Sequence, residues 1–266
     1  MSAAKARSRS RLTDVQLQEL MQLVGKSDSV ELKLTVADDQ RRAASRALEI
    51  DPLNAQIRQV VFFDTPDLRL NKAGVVVRAR RVENKGDDST VKLRPVQPDD
   101  LSPQLRKTPG FVVEVDAIPG AFVCSGSLSA SLKNGSVWDT LHGDRPIRKL
   151  FSKEQRAFFE AHAPAGVTLD DLSILGPIFV LKLKWAPEDF ARPMVAEAWL
   201  FPDASMTLEL STKTLPAQAF QAAAEARAFL ASKGISSTGT QETKTKRALR
   251  VFSRRLVDDQ RAAARA

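Results

Sequence analysis

Run after run of strand length in this chain places apolar residues on one parity and charged or polar ones on the other. In SVELKLTV, Val30, Leu32, Leu34 and Val36 alternate with Ser29, Glu31, Lys33 and Thr35. VVVRARRV sets Arg78 and Arg80 against Val75, Val77 and Ala79, and STVKLRP sets Lys92 and Arg94 against Val91 and Leu93. FVVEVDA aligns Glu114 with Asp116, IFVLKLKW aligns Lys182 with Lys184, and SMTLELS aligns Glu209 with Ser211. Side chains along a strand alternate between faces, so each run buries one face and presents ionisable groups on the other. QVVFFD and MVAEAWLF bring the expected strands to eight.

An antiparallel sheet with one solvated face would satisfy this pattern. Exposed strands, however, usually carry Thr, Ser and Gln alongside charge, whereas here long cations recur at paired positions. If the sheet closes, the charged face becomes a lumen and the apolar face turns outward, under helices expected at 38–50, 152–162 and 216–232. The expected fold is therefore mainly β with flanking α (α+β): an eight-stranded antiparallel β-barrel or tunnel with a polar, cation-lined lumen and helices packed outside. Such a lumen calls for a polyanion, and carboxylates among the cations suit a divalent metal held by oxygen.

The helix at 152–162 carries its own start signal, since Ser152 and Gln155 match a capping box and Phe158 and Phe159 face a core. CSGSLSASLKNGS, small and polar, reads equally as a loop or a weak helix, and PVQPDDLSPQLRKTPG reads as a proline-rich loop. With 266 residues of which 43% are hydrophobic, one globular domain is expected over 28–250. Residues 1–27 read as a basic tail with a short helix beginning near Leu12, and 251–266 as a loose basic C-terminal tail.

A net charge of +8 favours an anionic partner, although much of the surplus lies in the two ends. Nucleic acid is disfavoured as that partner, because the phenylalanines fall mainly on the uncharged faces. No apolar run reaches the roughly 20 residues of a membrane span and the N-terminus lacks a signal-peptide core, so a cytoplasmic protein is expected. Cys124 stands alone and the chain has 2 histidines, which argues against a disulfide or a zinc site.

FFDTPDLRLNKAGVVVRARR, followed in order by VKLRP, VEVD, VLKLKW, LELS and TKTKRAL, resembles the CYTH superfamily. This superfamily of triphosphate tunnel metalloenzymes includes inorganic triphosphatases, thiamine triphosphatases and class IV adenylyl cyclases. The resemblance implies binding of a triphosphate with Mg2+ or Mn2+, and hydrolysis of inorganic triphosphate or a related compound. It assigns Arg78, Arg80, Lys92, Arg94, Lys182, Lys184 and Lys244 to the phosphates, and Glu31, Glu114, Asp116 and Glu209 to the metal. Lys33 and Glu31 become the catalytic candidates. The alternatives are a non-catalytic polyphosphate-binding module and, less favoured, an adenylyl cyclase. One departure stands out: the Glu-x-Glu-x-Lys signature of the first strand reads Ser29, Glu31, Lys33 here, and Ser211 follows Glu209 where many members have a second acid. Fewer carboxylates imply weaker metal binding.

Overall fold

The computed structural model describes residues 12–236 and 243–263. After helix α1 (Asp14–Gly25) come β1 (Ser29–Val36), α2 (Arg41–Ala47), β2 (Gln56–Asp64), a single turn α3 (Arg69–Lys72), β3 (Val75–Val82) and β4 (Gly86–Leu93). Then follow α4 (Pro103–Arg106), β5 (Phe111–Ile118), β6 (Ala121–Leu132), α5 (Ser136–Leu141) and α6 (Lys153–Glu160). β7 (Ser173–Trp185), β8 (Met194–Leu200), β9 (Met206–Thr214), α7 (Ala219–Ser232) and α8 (Lys244–Ala263) complete the order.

The strands close into a barrel in the order β1-β5-β6-β4-β3-β2-β7-β8-β9. Nine strands, not eight, form the wall, and the sheet is mixed. The addition is β6, which takes in residues 124–132 of the small polar segment left open between loop and helix. Its hydroxyls Ser125, Ser127, Ser129 and Ser131 share one parity, while Cys124 and Leu128 of the other join the outer core. A closed ring of alternating directions needs an even number of strands, so an odd ring must contain a parallel pair. That pair is β1 with β5, which sets Glu31 beside Asp116 and Ser29 beside Glu114.

Outside the barrel, Val61, Val75, Val77, Ala79, Val91, Val113 and Val115 pack with Leu20, Leu23 and Val24 of α1 and Phe158 and Phe159 of α6. The capping box of α6 forms, and its Gln155, fully buried, also donates to the carbonyls of Ser89 and Leu128 in the barrel wall. A second outer core joins Leu34, Leu208 and Leu210 to Ala44 and Leu48 around α2 and to Ala226 and Phe229 of α7. Burying one parity in this way is what commits the other to the lumen.

Part of that inner face is apolar. Val60, Phe62, Ile178, Val180, Trp199 and Phe201 form one buried cluster with Ala248, Leu249 and Phe252 of α8. Residues 251–263 of the stretch expected as a loose tail continue this helix, and Phe252 anchors it. Residues 1–11 of the expected N-terminal tail lie outside the described residues. Among the described residues, no helix is long and apolar enough to cross a membrane.

Candidate functional site

Inside the barrel lies a cavity of about 440 Å³, lined by Lys33, Arg78, Lys92, Arg94, Asp116, Glu209 and Lys244 among others. Its size is that of a small-molecule site. Its rim is built by the turn after β2. Asp64, 1% exposed, accepts the backbone N–H groups of Thr65, Leu70 and Asn71 at 2.7–2.9 Å, so the aspartate of FFDT is a fastener for the turn. Gly74 then opens β3 with φ +75°, and a Cβ there would stand 2.7 Å from the Arg94 carbonyl oxygen. This close approach needs glycine and fixes where Arg94 leaves β4.

The first of two charged centres forms around Asp116. Lys33 Nζ lies 2.6 Å from its Oδ1, Arg94 Nη2 lies 3.2 Å from Oδ2 and Lys92 Nζ lies 3.8 Å from Oδ2. Neither of the latter two reaches Oδ2 in hydrogen-bonding geometry, and that oxygen is buried without a hydrogen bond. Lys33 also sits 2.9 Å from Glu31 Oε2. Ligand oxygens of Glu31, Glu114 and Asp116 all fall within 4.8 Å of one another. Two serines hold the glutamates: Ser29 Oγ donates to Glu114 Oε2 at 3.2 Å and Ser211 Oγ to Glu31 Oε1 at 2.9 Å. Lys213 Nζ, at the exposed end, is 2.6 Å from Glu114 Oε2.

Burial alone would raise the Asp116 and Glu31 pKa values. Lys33, Lys92 and Arg94 outweigh it at Asp116, and chiefly Lys33 at Glu31, so both carboxyls sit below their usual range. Burial likewise works against the Lys33 ammonium, but Asp116 and Glu31 more than compensate and its pKa is raised. Lys33 therefore remains a cation and has no lone pair to act as a base. Lys92 differs: burial dominates and brings it down to about 8 despite Asp116. Burial and the neighbouring Arg80 bring the half-buried Arg78 down to about 10, and its Nε, itself out of reach of solvent, lacks a hydrogen-bond partner.

The second centre forms around Glu197 on β8. Lys182 Nζ lies 2.7 Å from its Oε1, Lys244 of α8 is paired to Oε2, and Trp199 Nε1 donates to Oε2 at 3.2 Å. Lys244 is also 2.6 Å from Glu209. Burial works against the Glu197 anion, but Lys244 and Lys182 overcome it and hold the pKa well below the usual carboxylate range.

The candidate residues thus divide. Lys33, Arg78, Lys92, Arg94 and Lys244 meet at the cavity, as do Asp116 and Glu209; Glu31 and Glu114 adjoin through Asp116. Glu209 lies apart from the three-carboxylate group, paired to Lys244. Arg80 is paired to Asp88 at 2.9 Å, Lys182 is held by Glu197, and Lys184 is exposed near the end of β7. Sequence reasoning missed Glu197, Asp88 and Arg58. Glu197 has the parity that faces Lys182 across β7 and β8, a signal available once those strands are paired. Arg58, held by Gln56 Oε1 at 2.8 Å from Nη2, had no charged neighbour along its own run to single it out.

No family model matches the sequence, and no curated protein matches it. Among solved structures, the chain is similar to a Bacillus halodurans protein described as a candidate adenylate cyclase, with a TM-score of 0.58 and 15% identity over 83% of this chain and 97% of that one. It is also similar to HpAC1 from Hippeastrum, a candidate adenylyl cyclase described as having a dominant triphosphatase activity. That match has a TM-score of 0.55 and 15% identity over 80% of this chain and 91% of the other. At this identity the likeness shows a shared fold.

Proposed function

We propose that the chain is a CYTH-type protein that binds inorganic triphosphate, or another triphosphate compound, in the lumen with Mg2+ or Mn2+ and hydrolyses a phosphoanhydride bond there. The observation that carries this reading is the set of half-buried cations around one cavity, with Arg78 Nε buried and left without an acceptor. A buried N–H lacking an acceptor is costly, and phosphate oxygens are strong partners for a guanidinium. The motif order and the shared barrel support the same conclusion.

Arg78, Lys92 and Arg94 would hold the phosphates directly, and Arg80, Lys182 and Lys244 would contribute as far as Asp88, Glu197 and Glu209 release them. Lys33, its ammonium form favoured by Asp116 and Glu31, would orient a terminal phosphate. The oxygen donors of Glu31, Glu114 and Asp116, one of them a buried oxygen without a hydrogen bond, fit a hard divalent cation. Bound there, such a cation supplies charge neutralisation at the phosphoryl oxygens and lowers the pKa of a water nucleophile. The cations of this chain neutralise the charge that develops as the bond breaks, which is the larger share of phosphoryl-transfer catalysis.

Phosphate release from tripolyphosphate, thiamine triphosphate and ATP, with Mg2+ and with Mn2+, tests the proposal. Tripolyphosphate is expected to be turned over best, since the cavity lining holds no group dedicated to a base. Binding without release under every metal condition would assign a polyphosphate-binding module instead, and cyclic AMP with pyrophosphate from ATP would assign a cyclase.

A further inference from the structure

The three carboxylates of the candidate metal site are already compensated. Lys33 lies 2.9 Å from Glu31 and 2.6 Å from Asp116, Arg94 and Lys92 lie 3.2 and 3.8 Å from Asp116, and Lys213 lies 2.6 Å from Glu114. Four cations thus stand within 4 Å of three carboxylates. The two positions beside them that could add negative charge are Ser29 and Ser211. Both are buried, and each gives a hydrogen bond to a glutamate but no charge. A bare divalent ion entering this cluster meets a net positive surrounding and must compete with an ammonium already seated between Glu31 and Asp116. Like charges at these separations repel strongly where water is scarce.

We infer that the cluster takes a divalent cation only in company with a polyphosphate, the two binding as one linked event. This rests on the triphosphate-binding reading above. Phosphate oxygens compete with Asp116 for Lys33, Lys92 and Arg94, all of which line the cavity with it. Each cation drawn to phosphate stops compensating Asp116, whose Oδ2 already lacks a hydrogen bond. Asp116, so released, faces the cavity as a ligand for a metal, with Glu31 and Glu114 beside it, and by linkage the metal tightens the anion by the same factor as the anion tightens the metal. Ser29 and Ser211 are positioning residues in this scheme. They keep Glu114 and Glu31 in place while leaving the cluster too weakly negative to retain a metal alone.

Mn2+ binding to the full chain, read from the EPR signal of the free ion, tests the linkage. Titrations are run with and without the non-hydrolysable analogue imidotriphosphate, whose own chelation is taken from a protein-free control. Without the analogue, the wild type is expected to bind Mn2+ at least tenfold more weakly than with it. Lys33→Met, and separately Ser211→Glu, should tighten Mn2+ binding to the analogue-free chain several-fold. Lys33→Met should weaken the analogue at the same time, an opposition of sign that mere damage to the fold does not produce. Equal Mn2+ affinity with and without the bound analogue overturns the linkage, and so does a folded Lys33→Met chain whose bare Mn2+ affinity is unchanged or lower. If neither variant folds, the wild-type comparison alone decides. An analogue that binds neither with nor without Mn2+ overturns the triphosphate-binding reading itself, whereas a bound analogue with no effect on Mn2+ overturns only the linkage.

Discussion

The two charged centres of the lumen contain the same kinds of group and are built for different ends. Around Glu197, both carboxylate oxygens are engaged by Lys182, Lys244 and the Trp199 indole, and Lys244 is engaged a second time by Glu209. Around Asp116, several cations crowd one carboxylate, yet its Oδ2 accepts no hydrogen bond. A satisfied network rigidifies, while a partly satisfied one leaves free energy to be gained from a ligand. The Glu197 centre thus acts as a clasp that fastens α8 to the inner wall, beside its apolar contacts through Leu249 and Phe252. The Asp116 centre is the part left ready to exchange partners.

Asp116→Asn should give the largest effect, because it leaves Lys33, Lys92 and Arg94 facing one another and removes a candidate metal ligand at once. Turnover of tripolyphosphate is expected to fall by about a thousandfold, and stability by about 3–5 kcal/mol, measured by urea unfolding. Tripolyphosphate should restore more stability to this variant than it adds to the wild type, since it supplies the missing negative charge. If the variant is as stable as the wild type and gains nothing from the anion, the cations are not held by Asp116 in the way described.

Glu197→Gln should separate the centres. A stability loss of about 3 kcal/mol is expected from unpairing Lys182 and Lys244, with trypsin cutting within α8 well before the barrel is cleaved. The sign with pH follows from the depressed Glu197 pKa. Its contribution is complete above the unfolded value of about 4 and is lost as pH falls through the folded one. The wild type should therefore lose this stability in acid, and the variant should show a shallower loss. Mn2+ affinity in the presence of imidotriphosphate should change less than threefold or so, against a loss of an order of magnitude or more in Asp116→Asn. A similar metal defect in both variants would merge the two centres into one.

The Asp116 centre was far more legible than the Glu197 centre, for physical reasons. Lys92, Arg94, Glu114 and Asp116 each repeat a charge two positions along one strand, so local periodicity exposes them. Glu197 sits alone between Ala196 and Ala198, and its partners come from β7 and from α8, far apart in sequence. β6 was left undecided because its inner face carries serines, whose composition suits a loop as well as a strand. With β6 unread, the parallel pairing of β1 and β5 could not be foreseen, nor could the side-by-side placement of Glu31 and Asp116 that follows from it. Helix α8 was hidden by its arginines, although Ala248, Leu249, Phe252 and Leu256 keep the spacing of a helical stripe.

A smaller effect should come from the titration of Lys92. Burial brings it down to about 8, and only its ammonium form would pair with phosphate. Metal-free affinity for tripolyphosphate should be flat below about pH 8 and fall above it, by no more than about tenfold per pH unit. Lys92→Met should weaken binding below pH 8 and remove the inflection. Isothermal titration at a series of pH values checks this, and an inflection that survives the substitution would assign the titration to another group.

The smallest effect is expected at Lys184, which shares its strand and parity with Lys182. Periodicity alone treats the two as equals. A strand rises about 3.3 Å per residue, so two residues carry Lys184 roughly 7 Å further along the wall. There its side chain is exposed, and it is not among the residues lining the cavity. Water and salt screen an exposed charge at that distance. Lys184→Gln should therefore change tripolyphosphate affinity by less than about twofold at physiological ionic strength, while Lys182→Gln, which frees Glu197 to bind Lys244 alone, should loosen α8 as well. Equal losses of affinity in the two variants, with α8 unaffected in both, would mean that the anion reaches the end of β7 and that Lys182 serves it directly instead of the clasp.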